Sequence, residues 1–250
     1  MANDVLFIVE GEDAEPKLLD KINGTLKITE DINIYSYGTM IYQLYDELSL
    51  DDDLDIVLFL KSKENNKRKK EMLSKEFEAI YLIFDFEPHH EKFTIDKILE
   101  MSHFFNDSLD KGLLLINYPM VESYKHLNQI PDCDFINKTV TKDQVLRYKE
   151  LVGKESKYTN ITLYHRSLIL ELIVHHLIKF NYLANNDKSL PSYHIAMDLV
   201  HNKDFIRFQY EQYENDKIYP LATIYFYIIE LKPKSFYDEL KLPIVNELCK

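Results

Sequence analysis

The sequence predicts an α/β fold: a parallel sheet flanked by helices, followed by a mostly helical C-terminal part. Three observations predict it. Short, wholly apolar runs (VLFIV at 5–9, AIYLIF at 79–84, LLLI at 113–116) have the length and composition of strands buried on both faces. Segments with apolar residues at helical spacing lie between them, so strand and helix alternate as they do around a parallel sheet. From about residue 141 the helical patterns lengthen and no clear strand returns.

Taken in order, strand 5–9 ends at Glu10-Gly11. Ala14, Leu18, Leu19 and Ile22 then share a helical face, with Pro16 in the first turn, where its missing N–H does least harm. Residues 32–37 are rich in β-formers and make a second strand. Gly38 and Thr39 open a helix whose face is Ile41, Leu44, Tyr45 and Leu48. Residues 51–77 pass from acidic through apolar to basic and read as helical. Strand 79–84 ends at Asp85-Phe86-Glu87-Pro88, and a helix over 94–105 follows with Thr94 as its N-cap. Strand 113–116 leads through Asn117-Tyr118-Pro119 into a helix over 120–127. Residues 1–140 thus read as an α/β domain and 141–250 as a helical one. Helices are expected over 145–152, 163–182, 192–213 and 236–248, and 221–231 is open between strand and buried helix.

A hydrophobic fraction of 46% supplies a packed core and excludes a disordered chain. No secretory signal precedes residue 5, and the apolar runs at 80–84, 113–116 and 224–231 fall short of a membrane span. Cys133 and Cys249 lack metal-site spacing and read as reduced thiols. The expectation is a cytoplasmic protein with no membrane partner. The net charge of −12 argues against a protein that coats a polyanion, since such binding draws on Lys and Arg. Where the acids sit therefore matters more than their number.

Several sit at strand ends. Glu10 closes the first strand, Asp85 and Glu87 the third, and Glu122 follows the fourth. Ligands of open parallel sheets bind at the C-terminal edges of the strands, so these acids are expected to converge there. Clustered carboxylates repel unless a cation lies among them, and such hard oxygen ligands suit Mg²⁺ or Mn²⁺.

These residues resemble a family. VLFIVEGEDAEPKLL (5–19) and IYLIFDFEPHH (80–90) look like the Toprim domain of topoisomerases, bacterial primases and OLD-family nucleases, with its Glu-Gly strand and its later Asp-x-Asp pair. Glu10 matches the single glutamate and Asp85 the first acid of the pair, while Glu87 stands where the family has Asp. Pro119-Met120-Val121-Glu122 resembles the Pro-x-x-Glu segment of Toprim-like phage-defence proteins. The resemblance covers about residues 4–130. It implies a two-metal site that hydrolyses phosphodiester bonds of RNA or DNA. In it Asp85 and Glu87 are principal metal ligands, Glu10 is a ligand or general base, and Glu122 is an additional ligand. The resemblance also implies a toxic effector of a phage-defence system.

Other readings compete. Glu10 could simply start a helix, Asp85 and Glu87 could mark a surface turn, and Glu122 could be an exposed helical residue. His89-His90 beside the acidic edge could contact phosphate or shuttle protons, whereas of His175-His176, in a helical run, one reads as packed and the other as exposed. The dense basic run from Lys61 to Lys70, with Lys67, Arg68, Lys69 and Lys70 at its centre, is either a solvated face or a nucleic-acid contact. Lys125 is a further phosphate-binding candidate. The alternative function is a non-catalytic Toprim-like subunit that binds a nucleotide or a partner. A third reading is a doubly wound binding protein with a coincidental motif. The helical half would recognise substrate, form a homo-oligomer or dock an activating protein.

Overall fold

The computed structural model describes residues 4–50 and 54–240. Five strands form one sheet: β1 (Asp4–Val9), β2 (Asp31–Ser36), β3 (Ala79–Asp85), β4 (Asn106–Asp107) and β5 (Gly112–Asn117). Their order is β2-β1-β3-β5-β4, with every pairing parallel except the short β4 edge. The four expected strands are all present. The two-residue β4 is too short to leave a pattern in sequence.

Helices join the strands. α1 (Ala14–Leu26) links β1 to β2; α2 (Ile41–Leu48), α3 (Ile56–Lys63) and α4 (Lys67–Met72) link β2 to β3; α5 (Ile95–Phe104) follows β3. The expected N-cap of α5 is made, since the Lys97 N–H donates to Thr94 Oγ1 at 3.1 Å. Where one helical stretch was read over 51–77, the described part holds two short helices. Asp55 caps the first, accepting from the Leu58 N–H, and Asn66 caps the second, accepting from the Arg68 and Lys69 N–H groups. These side chains offer the backbone a turn that interrupts the helix. The expected helix over 120–127 is a 3-10 helix, Val121–Lys125.

The remaining helices are α6 (Lys142–Val145), α7 (Tyr148–Glu155), α8 (Arg166–Asn185), α9 (Tyr193–Val200), α10 (Asp204–Glu214), α11 (Tyr227–Leu231) and α12 (Lys234–Glu239). The stretch left open at 221–231 is neither a strand nor one helix: Leu221 bridges to Tyr118, Thr223–Tyr225 is a 3-10 turn, and α11 follows. α8 is long and apolar enough to span a membrane, a length that contiguous apolar runs understate, and 67% of it is buried inside the protein. Cys133 is disulfide-bonded, contrary to the expected free thiol; Cys249 lies outside the described residues, as does the expected helix beyond residue 240.

The helical half packs onto the sheet. Tyr227 of α11 stands edge-on to Phe7 of β1 at 4.8 Å, and Phe7 stacks on Tyr81 of β3 at 5.6 Å. The backbones of Tyr118 and Leu221 exchange hydrogen bonds of 2.8 Å each way. Asn117 Oδ1 accepts from the Ile224 N–H at 3.1 Å. A single continuous cluster of buried side chains runs through both halves.

Strand order creates the crevice that matters. From β1 the chain crosses to β2 on one side, then returns past β1 to β3 on the other. The connections after β1 and β3 therefore diverge and leave a cleft between the strand ends. Val9 is in register with Ile83, so Glu10, just past β1, and Asp85, the last residue of β3, lie at adjacent strand ends.

Candidate functional site: the carboxylate crevice

Four sequence-expected acids reach this crevice, and a fifth joins them. Asp85 continues β3, and its Oδ1 accepts from the Val121 N–H at 2.8 Å. Burial pushes its carboxyl well above the usual range, reinforced by the charges of Glu10, Glu15 and Glu122. Glu10 accepts a hydrogen bond from the Asp85 backbone N–H. Even so, burial, followed by the repulsion of Glu87 and Glu15, raises it to about 7. Glu87 is also raised by burial, against the moderating charges of His89 and His90. Glu122 is only 4% exposed, and its Oε1 pairs with Lys149 Nζ at 3.2 Å.

The fifth acid is Glu15, in the first turn of α1 and buried. Burial raises its pKa, with Glu122 adding to the shift, while its own N–H and that of Gly11 hold it back. Its Oε2 folds over Gly11 so closely that a Cβ there would stand 2.9 Å away. Glycine at 11 makes room for this carboxylate. A sequence signal existed: Glu15, Leu18, Leu19 and Ile22 share one helical face, an acid on an apolar stripe.

Among the described residues, no three His, Cys, Asp or Glu side chains stand close enough together to hold a metal ion. The acids interact electrostatically, yet several are held by protein donors. Val121 holds Asp85, Lys149 holds Glu122, and Gly11 holds Glu15. Repulsion spreads the acids, and each takes the nearest N–H or ammonium. As a donor set, carboxylate oxygens match a hard divalent cation.

The flank beside Glu122 is sealed. His126 Nδ1 bonds to the Tyr148 hydroxyl at 2.8 Å and its Nε2 to Glu155 Oε2 at 2.9 Å. Lys138 Nζ reaches the same Glu155 oxygen at 3.0 Å. Burial drives His126 down to about 4, so its ring is neutral near pH 7. Ser156 Oγ also donates to the Lys125 carbonyl. α7 thereby clamps the segment that carries Glu122 and the Val121 N–H. Sequence reasoning missed Tyr148, Lys149 and Glu155 because only tertiary packing brings α7 here. On the opposite flank Tyr42, buried in α2, lies near Glu87 and Glu10, whose charges add to burial in raising its hydroxyl pKa.

The cationic candidates divide. Lys125 sits at the crevice, half-buried, its Nζ 5.0 Å from the Tyr124 ring centre. Burial pushes its pKa down, and Glu122 pulls it back up. Lys67, Arg68, Lys69 and Lys70 lie on α4, where Lys69 covers the Tyr35 ring at 5.3 Å and Lys67 faces Glu71 at 3.9 Å. Among the described residues, no hydrogen bond or ion pair ties α4 to the carboxylates. His175 and His176 are packed in α8, where His175 Nε2 accepts from the Asp132 N–H and His176 Nδ1 from the Ala222 N–H. Both lie in the core, whereas the sequence predicts one packed and one exposed.

Comparison with known proteins finds no matching family model, no matching curated protein and no matching solved structure.

Proposed function

We propose that the crevice is the site of a divalent-metal-dependent nuclease of Toprim type, hydrolysing phosphodiester bonds of RNA or DNA. The observation that carries this reading is the convergence of Glu10, Glu15, Asp85, Glu87 and Glu122 at the sheet's switch point. Burial raises four of these five carboxyls, and repulsion by neighbouring acids adds to it at Glu10, Glu15 and Asp85. Such a set is short of positive charge. A cation would displace the retained protons and draw the acids together.

Asp85, Glu10 and Glu87 would hold Mg²⁺ or Mn²⁺, with Glu122 released from Lys149 to join them. Bound ions of this kind activate water and stabilise the leaving oxygen. Glu10, titrating near neutrality, is suited to accept a proton from water. Lys149 and Lys125 would face the negative charge of a phosphodiester. The setting of a cytoplasmic phage-defence effector rests on the sequence motifs alone.

The second reading, a non-catalytic module that binds a nucleotide or a protein partner, is favoured by the Lys149–Glu122 pair. That pair already neutralises one acid. The test is cleavage of labelled RNA and DNA with Mg²⁺ or Mn²⁺ by wild type, Glu10→Ala and Asp85→Ala, alongside calorimetric metal titration. Metal-dependent cleavage lost in both folded variants supports the nuclease. Metal binding without cleavage favours the second reading, and absence of metal binding overturns the first.

A further inference from the structure

Next to the carboxylates lies a groove of different character. It holds about 290 Å³ and is lined by Thr39, Met40, Tyr42, Gln43, His90 and Lys92, together with Glu91. Tyr42 and His90 stack almost parallel within it, ring centres 5.5 Å apart and planes 7° apart. The His90 backbone N–H donates to the Glu87 carbonyl and holds the turn, and the Lys92 N–H donates to His90 Nδ1 at 3.1 Å and orients the imidazole. In the neutral ring Nε2 then carries the proton. Two ammonium groups stand beside the pair. Lys97 Nζ lies 2.5 Å from Asp46 Oδ1 and 5.8 Å from the Tyr42 ring centre, and Lys92 Nζ reaches Asp46 Oδ2 at 3.8 Å. The two cations share that one carboxylate, and with Glu91 also on the rim the local charge balances, in contrast to the acidic crevice beside it.

We propose that this groove seats one unpaired nucleotide of a single-stranded nucleic acid, its base stacked on His90 and its backbone phosphate facing Lys92. This rests on the nuclease reading and names its substrate class. The volume sits at the lower end for small-ligand pockets, about 300 Å³. That is the scale of one nucleotide, not of a duplex. An imidazole already backed by Tyr42 and oriented by a hydrogen bond from the Lys92 N–H loses little freedom on stacking. Paired bases within a duplex have no free face to offer it. Stacking plus a cation is the combination that holds single strands with little sequence preference.

The experiment is fluorescence anisotropy of labelled oligo-dT, oligo-U and a matched duplex, in EDTA and in Ca²⁺. Wild type is compared with His90→Ala, His90→Phe and Lys92→Ala, each checked for its melting transition. One stacking contact, worth about 1–3 kcal/mol, sets the scale. Single strands should bind more tightly than duplex, His90→Ala should weaken them about 5- to 150-fold, and His90→Phe should stay within about 2-fold of wild type. Lys92→Ala should bind more weakly with a shallower salt dependence. Equal binding by His90→Ala and wild type, preference for duplex, or no binding in either buffer overturns the proposal. Binding needs no turnover, so the two readings fail separately. Strand binding without cleavage sinks the nuclease, and cleavage that tolerates His90→Ala with unchanged affinity sinks the groove.

Discussion

The two flanks of the carboxylate crevice are built in opposite ways. Beside Glu122, buried Tyr148 and His126 form a hydrogen-bonded chain that ends at the exposed carboxylate of Glu155 and is closed by α7. Beside Glu87, Tyr42 and His90 form a stacked pair that opens onto a groove. The first arrangement fixes positions and admits nothing; the second leaves room and a ring face. Fixed carboxylates on one side and an open approach on the other are what a hydrolytic site needs from its walls.

The strongest way to break this contrast is at the acids both flanks share. Asp85→Asn keeps the acceptor for the Val121 N–H but removes the charge. It should lower metal-dependent cleavage on the order of 100-fold or more while the protein still folds, since even outer-shell changes cost 10- to 100-fold. A rate within a few-fold of wild type would mean that catalysis lies elsewhere.

Next comes the sealed flank. Tyr148→Phe deletes the hydroxyl that meets buried His126 Nδ1, leaving a ring nitrogen without its partner. The expected cost is about 1–3 kcal/mol of stability, or about 2–4 °C of melting temperature per kcal/mol in a chain of this size. An unchanged melting temperature would show that the chain does not hold the segment.

A smaller effect is a difference in pH dependence. Glu10 is raised from the ordinary carboxyl value to about 7, so the folded protein binds its proton more tightly than the unfolded chain. Its contribution to stability is complete below about pH 4.5 and is lost as pH rises through 7. His126, lowered to about 4, acts in the opposite sense below its ordinary value. The clean observable is therefore wild type against Glu10→Gln without divalent metal. The stability advantage of the variant should grow between pH 4.5 and 7 and then level off, amounting to about 1 kcal/mol once partial exposure is allowed for. A pH-independent difference would place Glu10 in an ordinary solvated setting.

The least change is expected at α4. Replacing Lys67, Arg68 and Lys70 with Ala should shift stability by no more than about 0.5 kcal/mol. It should also alter strand binding less than Lys92→Ala does in the same anisotropy experiment. A larger loss at α4 would move the nucleic-acid contact from the groove to the basic helix.

Much of this architecture was legible in the chain. Strands 5–9, 79–84 and 113–116 declare themselves because both faces are buried, which forces unbroken apolar runs. The strand-end rule then put Glu10, Asp85 and Glu87 at one edge. What escaped was whatever depends on residues distant in sequence. Lys149 and Tyr148 sit on a helix with ordinary amphipathic spacing, and nothing local marks them as neighbours of Glu122. Residues 51–77 misled for the opposite reason: their composition favours helix, but the Asn66 side chain caps the backbone and divides it. Glu15 was readable as an acid on an apolar stripe, overshadowed by the more conspicuous Glu10-Gly11.

The backbone pairing of Tyr118 with Leu221, and the grip of Asn117 on Ile224, also set a timetable. The strand end leading to Glu122 gains these particular ties only after residues more than a hundred positions downstream have been synthesised. Because domains fold as their contacts emerge from the ribosome, a nascent chain can complete its first strands long before its carboxylate edge is framed. The candidate crevice is thus framed only once the helical half has been made.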